Sequence, residues 1–450
     1  MRINNMKRTL FEYEIMPSVV KVGVGTSVSI KALGIDAAFE KGHEYIIRFI
    51  PQERIITAIT LRIGDDEGYD EVKAVCEDGK TMKFEYAFKY EGIYTVRILK
   101  EPGDRSKMVA DLRIFSADED LWSRIPMRGN THCHASHSVD GHEDPAMAAS
   151  AYRKAGFDYL AITDHHRIDG SLYSIDAFKE IPNGFALYKG EEVHVPNAYI
   201  HAVNVGADFD GMGLDDWYKA HREESDAEVE EIAHCLSDLP DGVEPMDLAW
   251  RIWIADKIHS KGGIAIIAHP FGEYDAHNTR NAMFEYLAKH KIFDAVEICA
   301  GQEFGSMECN MQVAFWNDLR AKGIFIPVVG CDDAHRRYYN WDYDSSFNKV
   351  YTVVYSKSKD FEDWKTAVKE GNTVAVDDYD EVTPFVNGTY RLVRYTIFLL
   401  ERYFPIHDEL CFEEGRLMND AYLGDKDALE MLKLIHDRVD KFNDRFFGRK

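Results

Sequence analysis

The sequence predicts an α/β protein whose leading strand-rich segment gives way to repeated strand–helix–strand units and then to a helical tail. Three observations carry this expectation. Residues 1–120 hold short β-branched and aromatic runs broken by Gly, Asp and Pro. Residues 121–380 alternate such runs with stretches of helical character, and residues 381–450 continue in helical runs alone.

In the leading segment the runs VKVGVGTSVSIKAL, HEYIIRFI, AITLRI, MKFEYAFKY, GIYTVRIL and ADLRIF repeat at a spacing that suggests an antiparallel sandwich. The stretch from Tyr90 to Val96 resembles the approach to a late strand of an immunoglobulin-like domain. His43 is the only histidine here, so a packing or spacing module is expected rather than a site.

The rhythm changes after Ser116. A strand ends at Gly129-Asn130-Thr131-His132-Cys133-His134; Asp144 then stands as an N-cap before Pro145, and the helix AMAASAYRKA stops at Gly156. The strand DYLAIT follows, ending in Asp164-His165-His166. The pattern recurs as LAWRIWIADKIHSK, Gly262-Gly263 and IAIIAHP, and again as MQVAFWNDLRAK, Gly323 and IFIPVVG before Cys331-Asp332-Asp333-Ala334-His335. Such repetition implies parallel pairing, in a barrel or an open doubly wound sheet. An acidic insertion from Gly206 to Glu244 interrupts it. The tail reads as helices in VRYTIFLLERYF, in residues 408–418 and in ALEMLKLIHDRVDKF.

The formal charge of −25 repels nucleic-acid phosphates and anionic membranes, so neither is expected as a partner. The opening residues carry no apolar signal core, and no later run approaches the ~20 apolar residues of a membrane span. The seven cysteines are scattered without a CxxC pair. Reduced thiols in a cytoplasm are the expectation.

Fifteen of the eighteen histidines lie between His132 and His335. His132, His134, His165, His269 and His335 each follow an apolar strand candidate at its C-terminal end, where α/β folds gather their active sites. Residues at i and i+2 of a strand share a face, so His132 with His134, and Asp333 with His335, each present two ligands together. Mixed imidazole and carboxylate donors suit Zn, Mn or Fe better than Mg or Ca. Taken singly, each piece has a plain reading as a loop or capping residue; four on four strand ends point to a metal cluster.

In order along the chain, His132-Cys133-His134 with Asp140-Gly141, Ile162-Thr163-Asp164-His165, Gly190-Glu191-Glu192-Val193, His201, Ile267-Ala268-His269-Pro270 and Gly330 with Asp333-Ala334-His335 resemble the successive motifs of the PHP (polymerase and histidinol phosphatase) family. The resemblance covers about Arg128 to Asp378. It implies a distorted seven-stranded (β/α) barrel for residues 121–380, with two or three divalent ions at its mouth. By this resemblance His132, His134 and Asp333 hold a first ion, and Glu192 bridges to a second completed by His201 and His269. His165, His335 and Asp140 hold the third. The family usually reads Ser-Asp-Gly where this chain has Ser138-Val139-Asp140-Gly141, so His137 and His142 compete with Asp140. Glu191 competes with Glu192, and Asp332 is expected to orient or cap rather than ligate.

Closely spaced cations acidify a bridging water and neutralise charge on a phosphoryl group, which points to phosphoester hydrolysis. Asp164 is expected to orient His165 or to cap a helix, and Arg336, with Arg167 and Arg337, to grip phosphate or to lie on the solvated surface. The expected partner is a small-molecule phosphate ester, monoester before diester, with a homo-oligomer possible. Hydrolysis of an amide or cyclic ester, a polymerase-associated nuclease-like module and a degenerate binding scaffold are the alternatives. Because the insertion follows the His201 strand, it is expected near the mouth as a lid or substrate-selecting wall, or else in oligomer contacts.

Overall fold

The computed structural model describes residues 12–34, 37–53, 69–101, 108–196, 200–271, 279, 281–300, 305–335, 347–378 and 383–449, and the structural statements that follow refer to these. The chain divides into two units, one of residues 1–125, 394–407 and 438–450 and the other of residues 126–393 and 408–437. The helical tail is thus shared between the two. Among the described residues no helix is long and apolar enough to cross a membrane.

The first unit carries strands β1 (Tyr13–Met16), β2 (Val19–Lys21), β3 (Gly25–Ala32), β4 (Glu44–Pro51), β5 (Asp70–Val75), β6 (Thr81–Ala87), β7 (Gly92–Leu99) and β8 (Met108–Ala117). They form a three-stranded sheet, β1-β3-β6, and a five-stranded sheet, β2-β8-β7-β4-β5. Alternation along each strand sends Ile15, Val28, Ile30, Met82 and Phe84 from one sheet, and Tyr45, Ile47, Phe49, Val96 and Ile98 from the other, into one core. Most pairs are antiparallel; β2 runs parallel to β8.

The second unit holds β9 (Ile125–Asn130), β10 (Tyr159–Ala161), β11 (Ala186–Tyr188), β12 (Gly190–Val193), β13 (Ala202–Val205), β14 (Ile264–Ile267), β15 (Ala295–Ala300), β16 (Val328–Cys331), β17 (Val350–Ser356), β18 (Thr373–Asp377) and β19 (Phe385–Asn387). These make a six-stranded sheet, β11-β10-β9-β17-β18-β19, and a five-stranded sheet, β12-β13-β14-β15-β16. The architecture is mixed α/β, but the expected distorted seven-stranded (β/α) barrel is replaced by these two sheets. One reason is a connection length. Residues 194–201 are too few for the crossover of about a dozen residues that a parallel pair requires. Accordingly β13 turns back antiparallel to both β12 and β14. At the far end β17, β18 and β19 also pair antiparallel. Parallel pairing survives in β9–β10–β11 and β14–β15–β16.

Two isolated parallel bridges, Cys133 with Ala334 and His165 with Glu192, join the two sheets at strand C-terminal ends. That seam positions the site. Outside it, helices Pro145–Lys154, Pro245–Ser260, Asn281–Lys289 and Gly305–Ala321 connect the strands. The Asp144 carboxylate accepts from the Ala146 and Met147 amides and Pro145 opens the helix, so the local sequence decides where it starts. Arg153, at its end, is wholly buried between Asp158 (3.1 Å) and Glu414 (2.7 Å). Removing one partner of such a pair costs about 3–5 kcal/mol, because the remaining charge is stranded.

The insertion folds as helices Leu214–Ala220 and Arg222–Cys235. Leu214, Tyr218 and Val229 join the core formed by Leu248, Trp253, Ile254, Ile258 and the faces of β13 to β15. It is therefore packed into the body of the unit through its own apolar residues.

Candidate metal centre

Beyond β9 and β16 the two chains continue side by side for a few residues. The Asp333 amide donates to the His132 carbonyl and the His134 amide to the Ala334 carbonyl, each at 2.9 Å. This interleaves His132 and His134 with Asp333 and His335 on one side of the seam, while Cys133 turns away and is buried. Asp333 adopts φ 48°, a left-handed conformation costly for a residue with a Cβ. A second seam, from the Glu192 amide to the Asp164 carbonyl and from the His166 amide to the Glu192 carbonyl, brings β12 to the end of β10.

Glu192 is the hub. Its side chain is fully buried, with His165 Nδ1 at 2.7 Å, His132 Nε2 at 3.3 Å and His134 Nε2 at 3.5 Å from Oε2. From Oε1, His201 Nδ1 lies at 2.6 Å and His269 Nε2 at 3.4 Å. Asp333 Oδ1 sits 3.0 Å from His134 Nε2 and 3.2 Å from His132 Nε2. Asp140 Oδ2 sits 3.0 Å from His165 Nε2 and 3.5 Å from His335 Nε2. The donors fall into overlapping groups whose atoms lie within 4.8 Å of one another: His132, His134 and Asp333; His132, Glu192 and His269; His134, Asp140, His165 and His335; His165, Glu192 and His194.

The electrostatics are those of a crowded set of donors. Burial disfavours charge on Glu192, yet His132, His201 and His165 hold its carboxyl well below the usual range; Asp333 behaves likewise, chiefly through His132. Burial pushes His134 down to about 4 and His201 down to about 3. Burial also opposes charge on His165 and His269, but Glu192 and its neighbours outweigh it and raise them to about 10 and about 9. His132 Nε2 and Glu192 Oε2 are buried without a hydrogen bond of acceptable geometry. Convergent nitrogen and oxygen atoms lacking hydrogen-bond partners fit a divalent metal ion.

The remaining sequence candidates separate clearly. Of the rivals for the Asp140 position, His137 faces Asp169 at 3.2 Å, and His142 meets His335 through its backbone amide. Asp140 is held by Ser138 Oγ at 2.5 Å. Glu191 turns to the opposite face, where it accepts from the Leu214 and Asp215 amides at 2.6 and 3.2 Å. Asp332 is buried away from the cluster, with the Tyr152 hydroxyl at 2.8 Å, the Asn348 amide at 2.8 Å and the Asn130 side chain. The Asp164 carboxylate accepts from the Ala135 amide at 2.6 Å, tying down the loop that carries Asp140; burial raises its carboxyl to about 7. Arg167 forms a two-point pair with Asp169 at 2.9 and 2.6 Å. Arg336 and Arg337 lie outside the described residues.

Two contributors escaped sequence reasoning. His194 stands at i+2 from Glu192 and shares its face, the same spacing that marks His132 with His134; its Nε2 lies 2.7 Å from His165 Nδ1. Glu297, from the middle of β15, reaches His132 Nδ1 at 2.9 Å and the His269 amide at 2.9 Å. Nothing local in DAVEICA marks it, because its partners come from two other strands. Glu297→Gln should weaken metal affinity by about 10–100-fold, the usual effect of removing a carboxylate that orients a ligand imidazole. Chelator-competition titration measures it, and wild-type affinity would assign Glu297 a packing role.

Gly141 sets the position of Asp140. A Cβ there would lie 1.9 Å from the Ala135 carbonyl oxygen. Gly141→Ala should therefore displace the loop at a cost of about 1–3 kcal/mol. Metal stoichiometry should fall as the Asp140 group opens, with a folded circular dichroism spectrum retained; unchanged stoichiometry would show that the loop adjusts without moving Asp140.

No protein-family model matches the sequence, and no curated protein matches it. Among solved structures, a two-domain protein from Bacteroides vulgatus containing a predicted PHP-like metal-dependent phosphoesterase aligns at 15% identity and a TM-score of 0.38, over 57% of this chain and 66% of that one. A proposed metal-dependent phosphoesterase from Bifidobacterium adolescentis aligns at 16% identity and 0.34, over 48% of this chain and 91% of its own. An amidohydrolase from Chromobacterium violaceum with bound sulfate aligns at 19% identity and 0.31, over 46% and 87%. These identities and scores are low, so the functional reading rests on the site itself.

Proposed function

We propose that the chain is a metal-dependent hydrolase of the PHP type that releases phosphate from a small-molecule phosphate ester, monoester before diester. The observation that carries this is the convergence of His132, His134, Asp140, His165, Glu192, His201, His269, Asp333 and His335 around one buried carboxylate. In this reading His132, His134 and Asp333 hold one ion, Glu192, His201 and His269 a second, and Asp140, His165 and His335 a third. Bound divalent ions supply an acidified water for attack and positive charge for the phosphoryl oxygens.

The chain's own residues set the direction of approach. His132 and Glu192 are fully buried, whereas the side chains of His335 and Asp140 are 26% and 43% exposed. Substrate therefore enters on the Asp140–His335 side, and the Glu192 side stays closed to bulk water. Glu297 and Asp164 hold ligands and loop in place and meet no substrate. The strongly acidic surface opposes nucleic acid as substrate.

One observation favours a second reading. Arg167, the arginine beside the His165 motif, is already paired with Asp169, so among the described residues it brings no free cation to the mouth. The same cluster acting on an amide or cyclic ester needs no arginine clamp. Elemental analysis of the purified protein, combined with a phosphate-release screen over sugar, nucleotide and amino-alcohol phosphates, separates the two. Phosphate release with bound metal supports the first; bound metal with turnover only of amides or lactones supports the second.

A further inference from the structure

The insertion reaches the cluster through Asp215. Glu191 fastens the start of the helix that carries it, accepting from the Leu214 and Asp215 amides. Gly213 allows this approach, since a Cβ there would lie 2.2 Å from Glu191 Oε1. The Asp215 side chain is buried at 3% exposure, and its two oxygens are divided between two partners. Oδ1 lies 2.6 Å from His166 Nδ1, and Oδ2 accepts the His194 amide at 2.9 Å. His166 itself adopts φ 62°, and its side chain is 44% exposed. Its ring centroid lies 4.4 Å from that of His194 and 6.3 Å from that of His165.

A carboxylate on one ring nitrogen fixes the plane of an imidazole, as it does for metal-bound histidines. Here the plane is fixed for a part-exposed ring that lies outside the four donor groups named above. Holding a non-glycine residue at positive φ and burying a carboxylate both cost free energy, which a solvated surface histidine would not require. We propose that Asp215 is a positioning residue that presents the free ring edge of His166 to an oxygen of the substrate held at the cluster, making the insertion a fixed specificity wall of the site. This rests on the phosphoester reading and adds to it a protein hydrogen bond to the phosphoryl group, at a mouth where Arg167 is already engaged.

The test uses the metal-loaded full chain and inorganic phosphate as the probe. Affinity is measured by calorimetry in wild type, Asp215→Ala, His166→Asn and the double variant, with metal content determined for each. Asn is chosen because it tolerates positive φ, so the exposed His166 position reports even if Asp215→Ala folds poorly. The expected result is a loss of about tenfold in each single variant, the worth of one hydrogen bond to a charged oxygen. The double variant should lose no more than either, because one residue acts through the other, and metal content should match wild type throughout. Wild-type phosphate affinity in His166→Asn, or losses that multiply in the double variant, overturns the inference alone. Loss of metal in Asp215→Ala overturns it too, since Asp215 would then act on the ligands through His194. A wild-type protein that takes up metal but no phosphate overturns the phosphoester reading together with this one.

Discussion

Glu192→Gln is expected to reduce hydrolysis by more than the roughly 10–100-fold loss typical of carboxylates that only orient a ligand, because Glu192 is itself the common partner of the donor set. Six imidazoles, those of His132, His134, His165, His194, His201 and His269, lie between 2.6 and 3.5 Å from its two oxygens. The amide keeps the shape of the side chain but loses the negative charge and one acceptor oxygen, so in the proposed arrangement it would no longer hold two ions. The fold should survive, since the change neither empties nor overfills the core. Glu191→Gln provides the control. That side chain lies on the other face of β12 against the helix amides, so it should disturb hydrolysis far less and stability more. Steady-state kinetics and thermal melts on both variants check the pair. A larger kinetic loss in Glu191→Gln would mean that the neighbouring carboxylate is the bridging one.

Two or three transition ions per chain are expected in the purified protein, and their removal should abolish hydrolysis. Nitrogen-rich ligation at this density retains such ions through ordinary purification. The direction of the pH dependence follows from the metal-free cluster. Neighbouring carboxylates hold His165 and His269 charged up to about 10 and about 9. Ligation requires the neutral ring, so each ion must displace protons and apparent affinity must rise as pH rises through neutrality. His134 and His201, pushed down to about 4 and about 3 by burial, are already neutral there and add nothing to the slope. Elemental analysis gives the stoichiometry; calorimetry in buffers of different ionisation enthalpy gives the protons released. Less than one ion per chain after supplementation would remove the cluster as a metal site, and an affinity independent of pH would overturn the displacement of protons from His165 and His269.

The placement of the ligand candidates was legible because it depends on local rules. An apolar strand ending in histidine puts that histidine at a strand C-terminus, and an i, i+2 spacing puts two side chains on one face. His132 with His134 and Asp333 with His335 follow from those rules and meet in the structure across the Cys133–Ala334 bridge. The same rule applied to Glu192 would have reached His194. The Asp144-Pro145 helix start was legible for a similar reason, since its hydrogen bonds span three residues.

What no local rule contains is the partner of a residue across the fold. Glu297 has a purpose only once β15 lies beside the ends of β9 and β14. Asp215 reads as one acidic residue among many in an acidic insertion until Glu191, His166 and His194 surround it. Sheet closure escaped for the same reason: strand–helix alternation predicts parallel neighbours. The short 194–201 connection and the antiparallel return of β18 instead make two sheets joined at their ends. By itself the sequence determined the donor types, their positions at strand ends and the α/β class, because each is decided by neighbours along the chain. The tertiary structure alone decided which donors share an ion-sized space, which of two adjacent acids faces it and what holds them there, because those depend on pairings between residues far apart in the sequence.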